Sequence, residues 1–293
     1  MELSAVVIHY KSPDVLAECL RALAADSHTS GTPGPGPEAE VVVVDNDSQD
    51  GTPARLAAEF PWVKVIANTD NVGYARAVNQ GIRATQAPFV LVLNPDCHFV
   101  PGTLRTLLDH LAKNPKTALV APRIVNTDGS LDYTARAFPT GSAFLFNRYS
   151  LLHKLFPGNP WSRQYMLLDW DHTTARDVDW VSGACMLVRR TAIDQVGGMD
   201  EAYFMFNEDV DWCRCFQNAG WKVTYLPAAT ITHHVGASKS KVSPRIIWLR
   251  HLGMLHYYRK HHRPNPLALA TVSTIVFLRA GLMLIGNAFR PPR

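Results

Sequence analysis

The first part of the sequence alternates short apolar segments with segments of helical periodicity, and this alternation restricts the fold more than any other feature. Apolar segments rich in β-branched residues, typical of buried strands, lie at residues 5–10, 40–44, 63–67 and 89–93. A helical pattern follows each of them. Such alternation predicts an α/β fold built on a doubly wound, mostly parallel sheet. Ligands bind such sheets at the carboxyl ends of the strands, and Asp45 and Asp96 lie at two of those ends.

The pattern becomes less regular beyond residue 119. The many aromatic residues and the lack of a clear period at 135–179 predict irregular connections that cover the sheet. Later elements are expected as a strand at 178–188, a helix from 208 to about 218, a strand at 221–226 and a helix at 246–262. The segment 27–39, rich in Gly and Pro, indicates a loop; a plain insertion is favoured over a mobile lid.

Composition narrows the class of protein. With 293 residues, the chain can bury one large core, or a core with a small appendage. A net charge of +4 is too mild to indicate a nucleic-acid partner. Five scattered cysteines without a CxxC pair favour reduced thiols in a cytoplasmic protein. The opening segment MELSAVVIHY has Glu2 where a signal peptide would carry positive charge, so no export signal is expected.

The last part of the chain differs in character. A basic cluster at 259–263 precedes the apolar segment 267–289, which has Arg279 near its middle. Its length would span a bilayer, but a central Arg is costly there. A helix lying on a membrane or on the domain is favoured over a true span and over packing between subunits. We therefore expect a catalytic domain at 1–240 and a C-terminal helical, membrane-associating segment at 241–293.

The sequence GMDEAYFMFNEDVDWCR is the strongest candidate for catalytic chemistry. Glu208, Asp209 and Asp211 follow three aromatic residues and precede Trp212. Carboxylates beside aromatic rings lie in a partly dry environment, where one of them can act as a base. The alternative is a helix N-terminus that carries acids because they suit that end of the helix dipole.

A second candidate site combines carboxylate and imidazole. Asp96 follows an apolar strand and Pro95, whereas His233 and His234 follow a later strand. Carboxylate oxygens suit Mg²⁺ or Mn²⁺, and the three side chains form a mixed N/O metal site that a nucleoside diphosphate would complete. The alternatives are an Asp in a surface turn and a His pair on the polar surface.

A series of motifs in fixed order resembles the inverting family-2 glycosyltransferases of the GT-A fold, nearest to the bacterial rhamnosyltransferase branch. The resemblance covers roughly residues 3–240 and is carried by VVIHYKS, VVVDNDSQDGT, NVGYARAVNQGI, VLVLNPD, WVSGACMLVRR, GGMDEAYFMFNEDVDWCR, AGW and HHVGAS. Each motif alone is weak, but the ordered series is specific.

The resemblance implies roles for particular residues. Asp45 would accept a hydrogen bond from the N3–H of uracil or thymine. Residues implied to line the nucleotide-sugar pocket are Asp45, Asn71, Gly73, Arg76, Asn94 and Asp96. Asn94-Pro95-Asp96 stands where the family has Asp-x-Asp, so Asp96 remains the main carboxylate for the metal. His233, with His234 beside it, matches the family's metal- or diphosphate-contacting His.

The same resemblance implies the catalytic residues. Asp209 matches the catalytic base, and Glu208 would support it. Residues implied to shape the sugar and acceptor pocket are Trp180, Ser182, Gly183, Ala184 and Asp211. The chain has no Gln-x-x-Arg-Trp motif of the processive synthases, which implies addition of one sugar per encounter.

These observations lead to one favoured function. We expect an inverting, metal-dependent glycosyltransferase that moves a sugar from a dTDP- or UDP-sugar, with dTDP-rhamnose favoured, to a lipid-linked or polysaccharide acceptor of the cell envelope. Its expected place is the inner face of the cell membrane, and a homo-oligomer is left open. The alternatives are a nucleotidyltransferase, which would need a Gly-rich basic loop after the first strand, and a catalytically silent carbohydrate-binding or assembly protein.

Overall fold

A computed structural model describes residues 1–29, 36–139, 159–233 and 242–289. The strands are β1 Leu3–His9, β2 His28–Thr29, β3 Glu38–Asp45, β4 Val63–Ala67, β5 Phe89–Leu93, β6 Cys97–Phe99, β7 Thr117–Asn126, β8 Leu131–Asp132, β9 Ala135–Arg136, β10 Arg176–Asp177, β11 Trp180–Val181, β12 Cys185–Arg189 and β13 Lys222–His233. The helices are α1 Pro13–Asp26, α2 Thr52–Glu59, α3 Tyr74–Arg83, α4 Thr103–Lys113, α5 Pro160–Tyr165, α6 Arg190–Val196, α7 Glu208–Asn218, α8 Pro244–His262 and α9 Pro266–Ala288.

The parallel part of the sheet follows from the apolar segments of the sequence. Strands β3, β1 and β5 are parallel neighbours, with Val6 paired to Val42 on one side and to Val92 on the other. Every residue of β1 is buried, since helices cover both faces of the sheet. Because β1 and β3 end in register at His9 and Asp45, polar groups gather at that edge.

One antiparallel strand changes what meets at that edge. The sheet runs in the order β10-β13-β7-β12-β5-β1-β3-β2, and β12 is antiparallel to both β5 and β7. The start of β12 therefore lies at the carboxyl end of β5, where the Asn94 N–H donates to the Ala184 carbonyl over 2.9 Å. The predicted α/β fold with a mostly parallel sheet is confirmed, with β12 reversed at its centre and the short strands β6, β8 and β10 also antiparallel to their neighbours.

The prediction of one strand over 178–188 is wrong, because the segment forms two strands in different sheets. Strand β11 pairs with β9 in a small sheet, and β12 joins the large sheet. Residues 182–184 turn between them, since the Ser182 N–H donates to Thr134 instead of to a strand neighbour. Apolar composition alone does not show such a break.

The C-terminal helices form an antiparallel pair held at its open end by a side chain. Asn287 on α9 accepts from the Val242 N–H over 2.9 Å and donates to the Val242 carbonyl over 2.7 Å. Helix α8 also packs on the turn before α7: a Cβ added to Gly253 would lie 2.9 Å from Asn207 Nδ2. This pair is therefore joined closely to the segment that carries the predicted base.

Helix α9 has two unlike faces. Its outward face exposes Leu278, Leu282 and Ile285, each more than 60% exposed. Arg279 points inward instead, with Nη1 3.2 Å from His251 Nε2 of α8. Among the described residues, α9 is the one helix whose length and composition would allow it to cross a membrane.

Candidate active site

The predicted base lies in the first turn of α7. Phe206 and Asn207 both have left-handed backbone conformations, with φ of 70° and 73°, and this tight turn starts the helix at Glu208. The Asp209 carboxylate accepts from the Gly183 N–H over 3.1 Å and from the Val210 N–H over 2.8 Å. The Asp209 side chain is thus fixed by backbone groups, while the residue stays partly exposed.

The environment of the two adjacent carboxyls favours proton transfer. Burial raises the pKa of Asp209 above its ordinary value, although backbone N–H groups oppose this. Burial and the neighbouring charge of Asp209 also raise the pKa of Glu208, which is 5% exposed. Glu208 Oε2 has no hydrogen-bond partner among the described residues. Asp209 can therefore act as a base at the surface of the cleft, with Glu208 behind it.

The turn at residues 182–184 connects the base to the end of β5. The Gly183 carbonyl accepts from the Tyr74 hydroxyl over 2.9 Å, opposite its N–H bond to Asp209. Ser182 is partly exposed beside it. Trp180 is only 4% exposed, and its indole N–H donates to the Ala137 carbonyl over 2.8 Å. Ser182 is thus accessible beside the predicted base, whereas Gly183 and Trp180 are buried.

The second candidate site is a carboxylate–imidazole–carboxylate cluster. His233 Nε2 lies 3.1 Å from Asp96 Oδ2, and His233 Nδ1 lies 3.6 Å from Asp132 Oδ2. Burial lowers the pKa of His233, but the two carboxylates outweigh it and raise that pKa to about 9. Asp132, on β8, was missed in the sequence because it lies in the irregular region where no strand was expected.

This cluster fits a divalent cation. Among the described residues, Asp96 Oδ1 and both ring nitrogens of His233 are buried without a well-directed hydrogen bond. Buried oxygen and nitrogen atoms of this kind match the ligand atoms that bind Mn²⁺ or Mg²⁺. Cys97 lies within reach as a third ligand, and burial raises the pKa of its thiol well above the ordinary value. His234 lies outside the described residues.

The residues implied for the nucleotide lie at the neighbouring strand ends. Asp45 is 3% exposed and accepts from the Ser48 hydroxyl, with His9 Nε2 3.9 Å from its Oδ1. Asn94 is partly buried directly after β5. The carboxylate that was expected to meet a pyrimidine base is therefore held in a fixed orientation by Ser48.

The segment 71–76 is organised by a residue that the sequence analysis did not assign. Asn46 donates to Asn71 Oδ1 over 3.0 Å and accepts from the Val72 N–H over 3.1 Å. Gly73 has a φ of 87°, and a Cβ there would lie 2.6 Å from the Phe204 carbonyl oxygen, so only glycine fits. This contact brings the segment 71–76 against the loop that leads to Asp209.

Two predicted site residues have other partners in this structure. The Arg76 guanidinium is paired with Glu201, with Nε 3.1 Å from Oε2, at the surface. Asp211 is 1% exposed and does not line the cleft. It accepts from Lys260 Nζ over 2.8 Å and from Tyr203 over 3.2 Å, so it faces α8 instead of the predicted pocket. The spacing within the first turn of α7 explains this, since residues two apart face different directions.

Comparisons with known proteins agree with this geometry. The sequence profile described as "Glycosyl transferase family 2" matches residues 4–197. An N-acetylglucosaminyl-diphospho-decaprenol L-rhamnosyltransferase of Mycobacterium tuberculosis is 37% identical over 212 residues, which make up 69% of this chain and 68% of that protein. The rhamnosyltransferase WbbL of Escherichia coli K12 is 28% identical over 170 residues, or 58% of this chain and 60% of that protein.

Solved structures show the same architecture. The mannosyltransferase PcManGT of Pyrobaculum calidifontis, in complex with GDP-Man and Mn²⁺, matches with a TM-score of 0.59 at 16% identity, over 98% of this chain and 75% of that one. TarS of S. aureus in complex with UDP-GlcNAc matches with a TM-score of 0.56 at 18% identity, over 95% and 72%. These similarities confirm the GT-A fold.

Proposed function

The chain belongs to glycosyl transferase family 2, and from this premise we propose that it moves one rhamnose from dTDP-rhamnose to a hydroxyl of a lipid-linked acceptor in cell-envelope glycan synthesis. The observation that carries the proposal is the position of Asp209. Its carboxylate accepts from the Gly183 N–H. The carbonyl of the next residue, Ala184, accepts from the N–H of Asn94, which lies two residues before Asp96. A single turn thus joins the residue that we assign as the base to the segment that carries Asp96.

The reaction follows from these positions. Asp209 takes the proton from the acceptor hydroxyl as that oxygen attacks the anomeric carbon, and the nucleoside diphosphate leaves from the opposite face, which inverts the configuration. A divalent ion held by Asp96 and His233 would neutralise charge on the departing diphosphate. Asp45 is assigned to the N3–H of the thymine base, and Asn71 and Gly73 to the wall of the same pocket.

The choice of donor and acceptor is supported by the relatives. Two rhamnosyltransferases are among the proteins that this chain resembles, and one of them acts on a sugar linked through a diphosphate to decaprenol. Uracil offers the same N3–H as thymine, so a UDP-sugar is the competing donor. The Mn²⁺ in the mannosyltransferase structure supports a divalent ion at the Asp96 cluster.

The test uses the wild type and Asp209→Asn with dTDP-rhamnose, Mn²⁺ and an N-acetylglucosaminyl-diphospho-lipid, with product measured by mass spectrometry. We expect transfer by the wild type and a loss of roughly 10²–10⁴-fold in the variant, because the amide has the same shape but cannot accept the proton. Binding of dTDP should be unchanged. The matched control is Asp109→Asn, which removes an exposed carboxylate on α4. If the wild-type protein transferred no sugar, the proposal would be refuted in favour of a catalytically silent binding protein.

The outer face of α9 suits the membrane on which such an acceptor lies. Arg279 is the one charged residue in 266–288, and it faces inward, so the outer face carries no charge. We assign this face to the boundary of the inner leaflet, with the helix lying along it. Replacing Leu278, Leu282 and Ile285 by Ser should release the protein from vesicles in a flotation assay. Transfer to a water-soluble acceptor should continue. Unchanged flotation would refute the membrane assignment.

A further inference from the structure

Tyr74, the first residue of α3, joins two other parts of the chain that lie beside the predicted base. Its backbone N–H donates to the Phe204 carbonyl over 2.7 Å, and its hydroxyl donates to the Gly183 carbonyl over 2.9 Å. Phe204 belongs to the loop that leads to Asp209, and Gly183 belongs to the turn between β11 and β12. One residue therefore holds both the loop before the base and the turn that binds it.

The turn at Gly183 contacts the base directly. The Gly183 N–H donates to Asp209 Oδ2 over 3.1 Å, so the two polar groups of one residue bind Asp209 and Tyr74. A Cβ added to Gly183 would lie 3.5 Å from the Asp209 Cβ and 3.7 Å from the Tyr74 hydroxyl oxygen. Both side chains therefore lie against the same glycine, and a shift of this turn would change the hydrogen bond to the carboxylate.

The Tyr74 hydroxyl is a lasting donor to this turn. Burial raises the pKa of Tyr74 well above its ordinary value, and the negative charges of Glu208 and Asp209 raise it further, so the hydroxyl keeps its proton. Gly183 is buried, and a buried carbonyl that loses its donor costs free energy unless the chain around it moves. The hydroxyl thus stabilises one position of the turn.

We propose that Tyr74 is a positioning residue for the base: its hydroxyl holds the Gly183 turn in the place from which the Gly183 N–H binds the Asp209 carboxylate. This rests on the proposed function, because it takes Asp209 as the base. Asn71 and Gly73, in the same short segment, are assigned to the nucleotide pocket. Tyr74 therefore connects the part of the chain that receives the donor to the residue that activates the acceptor.

The first experiment measures the pKa of the Asp209 carboxyl by carbon NMR in the free protein, with Asp209→Asn used to identify its signal. Tyr74→Phe removes the hydroxyl and keeps the ring and the backbone N–H. Burial raises the pKa of Asp209 and the bond from the Gly183 N–H opposes this, so weakening that bond should raise the pKa further, by about half a unit. The variant leaves in place the other groups whose charges interact with Asp209, namely Glu208, Arg136, Tyr165 and Cys213.

The matched control is Tyr225→Phe. Tyr225 is fully buried on β13, and its hydroxyl has no hydrogen-bond partner among the described residues. Losing this hydroxyl should leave the pKa of Asp209 at its wild-type value. If Tyr74→Phe also left that pKa unchanged, the proposal would be overturned.

The second experiment measures sugar transfer. Tyr74→Phe should lower kcat about tenfold without changing the KM for the donor. The acid limb of the kcat profile should move to higher pH, because the base must be deprotonated to act and its pKa is raised. In an Asp209→Asn background the same change should have no further effect, since Tyr74 acts through that carboxylate. A higher donor KM, or an equal loss in both backgrounds, would overturn the proposal, since Tyr74 would then contact substrate itself.

The two proposals fail separately. If the pKa of Asp209 rises in Tyr74→Phe and the wild type transfers no sugar, the proposed function fails and the positioning of Asp209 by Tyr74 stands. If the wild type transfers sugar and Tyr74→Phe matches it in kcat and in the pKa of Asp209, the positioning role fails and the function stands. Unfolding temperatures, measured first, set the assays at a temperature where every variant is folded.

Discussion

Two clusters in this protein contain the same three kinds of side chain and differ in what surrounds them. One is Asp96, Cys97 and His233 at the strand ends; the other is Asp211, Cys215 and His261 between α7 and α8. In both, the potential ligand atoms lie within 4.8 Å of one another. By residue type and spacing alone, each qualifies as a metal site.

The surrounding groups separate them. In the first cluster, Asp96 Oδ1 is buried without a hydrogen-bond partner among the described residues, and the two His233 nitrogens lie 3.1 Å and 3.6 Å from carboxylate oxygens without a well-directed hydrogen bond. In the second, the Asp211 oxygens accept from His261 over 2.7 Å and from Lys260 over 2.8 Å. A lysine ammonium already supplies the positive charge that a metal would bring. Satisfied hydrogen bonds therefore indicate a structural cluster, and orphaned atoms indicate a binding site.

The sharpest test of this difference removes one carboxylate from each cluster. Asp96→Asn should lower sugar transfer a hundredfold or more, because charge on the leaving diphosphate loses its neutralisation. Its Mn²⁺-dependent stabilisation by dTDP, ~2.7 kcal/mol at a hundred times the dissociation constant, should also disappear in a thermal-shift assay. Asp211→Asn should keep that stabilisation. If both variants lost it, the two clusters would not differ as we describe.

Stability should respond in the opposite sense. Asp211→Asn should lower the free energy of unfolding by about 3 kcal/mol, because it breaks a buried ion pair. The side chain of Asp211 is 2% exposed and that of Lys260 33%, so we expect the low end of the range for such pairs. Asp96→Asn should lower the free energy of unfolding by less, because the Asp96 side chain is 32% exposed and Asp132 remains beside His233. Urea titrations of the metal-free proteins measure both.

The histidines provide a finer comparison. His233→Gln should weaken Mn²⁺ binding at least tenfold, since Gln replaces an imidazole ligand, and should be visible as a higher Mn²⁺ concentration for half-maximal transfer. His261→Gln should not move that concentration. It should instead cost about 1.5 kcal/mol of unfolding free energy, the value of a hydrogen bond to a buried carboxylate. An equal change in Mn²⁺ requirement would contradict the assignment.

The smallest expected effect is on the free energy of unfolding at acidic pH. Burial works to raise the pKa of Asp200, but hydrogen bonds from His256 and Lys260 outweigh it and hold that pKa well below the ordinary value. A lowered carboxyl pKa gives stability that is present above the unfolded pKa of about 3.9 and is lost as the pH falls below it. Unfolding free energy should thus decline from about pH 5 downward. Lys260→Met should flatten the decline, whereas Lys64→Met, whose lysine bonds a carbonyl, should not.

Much of the fold was predictable because local pattern determines it. The strand Phe89–Leu93 matches its predicted limits, since an apolar run of five residues between Pro88 and Asn94 is too short for a helix. The reversal at β12 was not predictable, because strand direction depends on partners far away in sequence. The turn at Gly183 could not be predicted either, because it depends on hydrogen bonds to residues far away in the sequence.

Candidate site residues that belong to a sequence motif could be predicted, whereas those defined only by contacts in the folded protein could not. Asp209, Asp96 and His233 are brought to one edge as expected. Asp132 was not assigned, because it lies in a region without periodicity and reaches His233 only through a tertiary contact. Asp211 shows the converse. It stands two residues from the base, yet its direction is set by Lys260 and His261 on a helix about 50 residues later.

The Gly183 turn has an evolutionary consequence. Because the Gly183 N–H bonds the Asp209 carboxylate and the Ala184 carbonyl accepts from the Asn94 N–H, the separation between the assigned base and the segment that carries Asp96 is set by a few backbone bonds. Drift in side chains cannot easily alter it. Asp209 itself, like the pair α8–α9, lies beyond the residues 4–197 that match the family profile, so the profile covers the turn that holds the assigned base but not the base.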